Sequence, residues 1–168
     1  ILIGQDTTAY GFDLKDRPKL ASLLSDLASL SALKWLRLLY AHPAHLTTDV
    51  LQAMADHKRI CRYIDLPVQH IDETILSAMN RKVSAARILE IMAEARDIMP
   101  DVALRTSIIV GFPGETARRF DRLLDFIRAA RFDHLGVFPY SREEGTPAAK
   151  MPSRISEKEK GRRRDLIM

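Results

Sequence analysis

Aliphatic and β-branched side chains crowd five short stretches of the chain, at 1–4, 35–41, 61–66, 102–110 and 134–139. Each has the length and composition of a buried parallel strand. Between them the apolar residues recur at helical spacing. Pro18 opens one helix, with Leu20, Leu23, Leu24, Leu27 and Leu30 on one face, and Thr47-Thr48-Asp49 caps a second that carries Val50, Leu51 and Met54. A shorter helix follows over 72–79. Ser84 caps another, with Ile88, Leu89, Ile91, Met92 and Ala95, that ends before Pro100. Glu115-Thr116 opens the last, with Phe120, Leu123, Leu124, Ile127 and Ala130.

Strand and helix alternate along the whole length, so the fold class is α/β with a parallel sheet and right-handed crossovers. The choice lies between an open doubly wound sheet and part of a β/α barrel. No Gly-x-Gly-x-x-Gly follows a strand, which argues against the dinucleotide-binding version of the open sheet. The expected strand ends are polar and varied: Gln5-Asp6-Thr7-Thr8, His42, Gln69-His70, the segment 111–115, and Tyr140-Ser141-Arg142. Barrel enzymes place their chemistry at such ends.

Charge changes the picture only at one end. Residues 150–168 hold seven Lys and Arg against three acids, which is the whole of the net +4, so residues 1–149 are neutral. A neutral body argues against a general nucleic-acid groove and leaves the tail as the segment for any RNA contact. One cysteine, Cys61, excludes an internal disulfide and cannot by itself hold a zinc ion or an iron–sulfur cluster. No apolar run reaches the roughly 18–20 residues of a membrane span, and 1–3 lacks the charged start of a signal peptide, so a cytoplasmic protein is expected. The chain opens inside an apolar run and without Met, as a piece of a longer protein would.

The densest motif is Ser-Ile-Ile-Val-Gly-Phe-Pro-Gly-Glu-Thr at 107–116. It runs from a buried strand through two glycines into a helix start. Glycines let backbone amides approach a ligand and a helix N-terminus favours an anionic group. The bland alternative is a tight turn in which Glu115 is only a helix cap.

Gly-Phe-Pro-Gly-Glu-Thr at the end of a strand resembles the radical S-adenosylmethionine (SAM) family in its methylthiotransferase branch, and four further segments agree in order. They are Gly-Gln-Asp-Thr-Thr-Ala-Tyr-Gly at 4–11, Tyr-Ile-Asp-Leu-Pro-Val-Gln-His at 63–70 with Met79-Asn80-Arg81 after it, Leu104-Arg105-Thr106, and Phe138-Pro139-Tyr140-Ser141 with Gly145-Thr146-Pro147-Ala148. Relatives that modify an adenosine of transfer RNA typically read Gln-Asn-Val-Asn-Ser-Tyr-Gly and His-Leu-Pro-Val-Gln-Ser at the first two places. Those that modify an aspartate of a ribosomal protein are the better match.

The resemblance implies a partial (β/α) TIM-like barrel of the radical SAM type, with about five parallel strands and outer helices. It implies SAM and 4Fe-4S clusters as cofactors, and transfer of a methylthio group to C3 of an aspartate in a small-subunit ribosomal protein. The family's Cys-x-x-x-Cys-x-x-Cys motif would lie before residue 1, leaving 1–149 as a barrel piece without its first strand. Residues 150–168 would be a basic helical linker toward an absent C-terminal TRAM domain, and this piece alone would be inactive. The alternatives are a methylthiotransferase for transfer RNA and a non-catalytic scaffold that binds SAM or protein.

The resemblance places SAM against Gln5, Asp6, Gln69, Ile109, Gly111 and Phe138: Gln69 at the ribose hydroxyls, Gln5 and Asp6 near the amino group, Ile109 and Phe138 against adenine. Arg105 shares strand parity with Ser107 and Ile109, so its guanidinium faces the barrel interior and needs a carboxylate, from Asp65 or from substrate. Cys61 reads as a small buried hydrophobe. His42 and His70 end strands without second and third ligands at zinc-like spacing, so no metal on protein ligands is expected.

Overall fold

The five helical segments legible in the sequence become α-helices, the basic stretch at the C-terminal end adds a sixth, and the apolar stretches become three strands, among the described residues. The structure is a computed structural model and describes residues 1–152 and 154–168; Ser153, inside the stretch read as a basic linker, lies outside them. In chain order the elements are α1 (Leu20–Ser29), α2 (Thr48–Asp56), β1 (Tyr63–Asp65), α3 (Glu73–Ala78), α4 (Ala85–Ile98), β2 (Ala103–Val110), α5 (Ala117–Ala130), β3 (His134–Pro139) and α6 (Glu157–Ile167). Single 3₁₀ turns stand at Thr7–Ala9 and Pro147–Lys150. The strand order is β1-β2-β3. The chain divides into two compact units, Ile1–Pro67 with Ala86–Arg105, and Val68–Ala85 with Thr106–Met168.

In the first unit β1 runs parallel to β2, with Tyr63 beside Ala103, Ile64 beside Leu104 and Asp65 beside Arg105. The strands expected at 1–4 and 35–41 are reduced to single parallel bridges, Leu2 with Leu38 and Leu36 with Ile60. The cause is local: the Leu2 amide donates to the Arg37 carbonyl and the Leu39 amide to Leu2, after which Gly4 and the polar run at 5–8 lead into a 3₁₀ turn. The helices bury one face each. Leu20, Leu24 and Ala28 of α1 lie four apart and pack on α2 through Val50, Leu51, Ala53 and Met54. Ile88, Ile91, Met92 and Ala95 form the buried stripe of α4, whereas Leu89, expected on that stripe, is exposed. Each fully buried Leu or Ile contributes about 1.5–3 kcal/mol.

In the second unit the rest of β2 lies beside β3, and a parallel bridge joins Gln69 to Ile108. Burial along β2 alternates: Leu104, Thr106, Ile108 and Val110 are buried, and Ala103, Arg105, Ser107 and Ile109 only partly so. A period of two means one covered face and one open face. Phe120, Leu123, Phe126 and Ala130 form the inner stripe of α5, which stops at Arg131 in the left-handed conformation. The last helix is built differently. The buried residues of α6 are Lys160 and Arg163, and the helix packs on β3 and α5. Their aliphatic stems cover apolar surface while their charged heads reach partners.

Candidate functional site

The loop after β2 is held in place from three sides. Gly111 has φ +76°, and a Cβ built there would stand 2.3 Å from Cγ of Lys160, so both the backbone angle and the close approach require glycine. Glu115, fully buried, accepts from the Gly111 amide at 2.7 Å, and Nη1 of Arg163 donates to its Oε1 at 2.7 Å and to its carbonyl at 2.8 Å. Burial pushes the Glu115 carboxyl above its ordinary value, and Arg163 and the loop amides pull it back. The side chain of Thr116 then caps α5 by accepting from the Arg119 amide. Glu115 is therefore more than a helix cap: it ties the loop to α6.

Gln69 sits opposite this loop's strand in a left-handed backbone conformation, φ +66°. Its amide donates to Ser107 at 2.9 Å and its carbonyl accepts from Ile109 at 2.9 Å, which fixes its position against β2. The next residues are as tightly set. Nδ1 of His70 accepts from the Asp72 amide, and Asp72 caps α3 and binds Arg122 at 2.8 Å and Arg119 at 3.3 Å. Burial holds the His70 pKa down at about 4, against the pull of Asp72, so the ring is neutral. Its Nε2 lies 3.8 Å from Glu115.

Gln69 and Ile109 line one cavity of about 460 Å³ with Phe112, Tyr140, Asn80 and Arg81. The hydroxyl of Tyr140 is buried and has no hydrogen-bond partner among the described residues. Tyr140 also lines a second cavity of about 220 Å³ with Gly111, Pro113, Arg142 and Lys160. Phe138 is 53% exposed on the open face of β3, where its ring lies over Gly136, and it lines neither cavity. In the sequence Tyr140 stands within the motif at 138–141, where nothing sets it apart from its neighbours. The unpartnered hydroxyl is visible only in the fold.

The other named residues lie in the first unit. Gln5 is exposed. Asp6 caps the 3₁₀ turn, with Oδ1 accepting from the amide and hydroxyl of Thr8 and Oδ2 accepting from Nδ1 of His45 at 2.6 Å. Burial raises its pKa, but Thr8, His45 and His42 together outweigh this and leave it lowered. Asp65 is buried, receives Nη1 of Arg105 at 2.6 Å and the Tyr40 amide at 3.2 Å, and so supplies the carboxylate that Arg105 requires. Arg37 stacks on Tyr63 at 4.6 Å and on Trp35 at 5.6 Å. Cys61 is partly exposed and free.

A sequence profile of the radical SAM superfamily matches residues 1–127. The chain belongs to the radical SAM superfamily. Its fold is the superfamily's partial β/α barrel: it is similar to coproporphyrinogen III oxidase (HemN) from Escherichia coli, a radical SAM enzyme, with a TM-score of 0.68 at 20% identity over 87% of this chain and 35% of that one. Among curated relatives, ribosomal protein uS12 methylthiotransferase RimO of Syntrophus aciditrophicus is 54% identical over the whole chain. RimO of Geobacter sulfurreducens is 50% identical over 99% of it. The chain spans 37% of the length of each. No helix among the described residues is long and apolar enough to cross a membrane.

SAM and 4Fe-4S clusters are the superfamily's cofactors, and the two fit this chain unequally. A cluster needs several thiolates and the chain has one cysteine, so its residues do not make a cluster site. SAM fits better. A cavity walled by an amide side chain, an aliphatic and two aromatics, with a buried tyrosine hydroxyl unpartnered, has the mixed lining of a small-molecule site.

Proposed function

We propose that this chain is the SAM-binding barrel portion of a methylthiotransferase that attaches a methylthio group to C3 of an aspartate in ribosomal protein uS12. The observation that carries the reading is 54% identity to a uS12 methylthiotransferase across all 168 residues. The motifs at 4–11 and 63–70, which favour the aspartate branch over the transfer-RNA branch, support it.

In this reading Gln69 meets the ribose hydroxyls of SAM, Ile109 packs against adenine, and the Tyr140 hydroxyl completes the polar wall. Gly111 lets the loop approach, and Phe138 screens the open face. SAM, when bound and reduced by one electron from a 4Fe-4S cluster whose ligands this chain does not supply, would provide hydrogen-atom abstraction from an unactivated carbon; the residues here would hold it, orient it and exclude water. Arg105, already bound to Asp65, is a positioning residue inside the barrel rather than a SAM contact. Residues 1–149 form the barrel piece and 150–168 lead toward a further domain. Lys160 and Arg163 are buried, so any RNA contact by this basic stretch falls to Lys150, Arg154, Lys158, Arg162 and Arg164, all exposed. The setting is cytoplasmic.

The experiment uses the full-length protein, anaerobically reconstituted with cluster, SAM and reductant. Isolated uS12 should stimulate release of 5′-deoxyadenosine, and unmodified transfer RNA should not. Stimulation by transfer RNA in place of uS12 would move the protein to the other branch, and release with neither would favour another substrate class.

A further inference from the structure

Three potential ligands meet in the first unit: Asp6, His42 and His45, each with one ligand atom within 4.8 Å of those of the other two. His42 and His45 are three apart, and Asp6 comes from a distant segment, so only the fold assembles the group. We propose that these residues bind a divalent transition-metal ion of the zinc class.

The chemistry is that of a three-ligand site with an open position. A four-coordinate zinc with bonds of about 2.0–2.1 Å places its ligand atoms roughly 3.3 Å apart. Small rotations of these side chains reach that spacing from the present 2.6 Å between Asp6 and His45 and the 4.8 Å limit of the cluster. The carboxylate is already braced, because Thr8 holds Oδ1 and leaves Oδ2 for the ion. The His45 ring is fixed edge-on by Phe12, with centroids 5.2 Å apart, and faces the His42 ring at 5.0 Å.

Binding exchanges existing bonds. The Nδ1 proton that His45 now donates to Asp6 passes through water to Nε2, so the ring stays a neutral imidazole, and metal–nitrogen and metal–oxygen bonds form at Nδ1 and Oδ2 in place of that hydrogen bond. His42 contributes the Nδ1 lone pair that now accepts from the Ala44 amide at 3.1 Å, and that amide, at a partly exposed position, turns to water. His45 also lines a cavity of about 550 Å³ with Thr8, Tyr10, Phe12 and Thr47, which provides a path for the ion and room for a fourth ligand from water or a small molecule.

The test is isothermal titration of the metal-free 168-residue chain with Zn²⁺ on a Cys61→Ser background, which removes thiol binding and involves no SAM. The site predicts one ion per chain. Asp6→Ala, His42→Ala and His45→Ala should each weaken binding at least tenfold with unchanged circular dichroism, and His57→Ala should leave it unchanged. Absence of stoichiometric binding, or affinity that survives all three substitutions, would overturn the proposal. A second measurement needs no ligand substitution: imidazole nitrogen resonances of His42 and His45 should shift on addition of Zn²⁺, and unmoved resonances would equally refute the site. Because SAM is absent from both measurements, failure here is separate from failure of the methylthiotransferase reading.

Discussion

Replacing Arg163 by Met should cost the fold about 3 kcal/mol at pH 7. Arg163 is 5% exposed and makes two hydrogen bonds to the buried Glu115, one to its carboxylate and one to its carbonyl. Met keeps the bulk of the apolar stem and removes the charge, together with the guanidinium's stacking on Phe120 at 5.1 Å. Breaking a buried pair by removing one partner typically costs about 3–5 kcal/mol, because the other charge is stranded. Here the stranded group has an escape, since Glu115 can take up a proton. From an ordinary value of 4.5, neutralising it at pH 7 costs about 3.4 kcal/mol at 1.36 kcal/mol per pH unit, which sets the ceiling. The same arithmetic fixes the pH dependence. A carboxyl whose folded pKa is raised contributes stability below its unfolded value and loses it as pH rises, so the penalty should shrink toward pH 5. Urea unfolding followed by circular dichroism at pH 5 and pH 7 measures this, and Glu115→Gln added to Arg163→Met should recover much of the loss. A single variant within about 0.5 kcal/mol of the parent at pH 7, the range of an unremarkable surface substitution, would refute the idea that α6 clamps the glycine loop through this pair.

His70, with its pKa at about 4 against 6.5 unfolded, binds fewer protons folded than unfolded, so stability should fall as pH drops from 6.5 to 4, by about 3 kcal/mol from this residue. His70→Asn, which retains an acceptor for the Asp72 amide, should flatten that segment of the urea stability profile; an unchanged slope would count against a neutral buried ring. In the full-length protein Gln69→Ala should weaken SAM binding by about 0.5–1.5 kcal/mol, the net worth of a hydrogen bond, with the cluster intact, and an unaltered dissociation constant would remove Gln69 from the site. The 168-residue chain given iron, sulfide and SAM should develop no cluster absorbance and release no 5′-deoxyadenosine, and absorbance dependent on Cys61 would contradict this.

The parts of the fold legible in the sequence were those set by local periodicity. Leu20, Leu24 and Ala28 repeat every four residues, and the long apolar run at 102–110 holds β2 whatever surrounds it. The expected strands at 1–4 and 35–41 shrink to bridges because pairing, unlike helical periodicity, depends on what a neighbour presents. Gln69 and Ile109 were readable as partners because both stand at or near strand ends on neighbouring segments, and they share a cavity. Phe138 stands two residues before Tyr140, which lines both cavities, yet its ring lies over Gly136 on the open face. The roles of Lys160 and Arg163 were hidden within a basic run that reads as solvated; nothing in their spacing distinguishes them from Arg162 and Arg164. His45 was invisible as a partner of Asp6 because the two are 39 residues apart and meet only through the turn at Thr7–Ala9.

The most direct test of the central claim is the mass of ribosomal protein uS12 from cells that lack their own uS12 methylthiotransferase and express the full-length protein containing this chain. The account predicts the mass gain of one methylthio group, placed by fragmentation on the β-carbon of a single aspartate. Unmodified uS12 alongside methylthiolated adenosine in transfer RNA would contradict it.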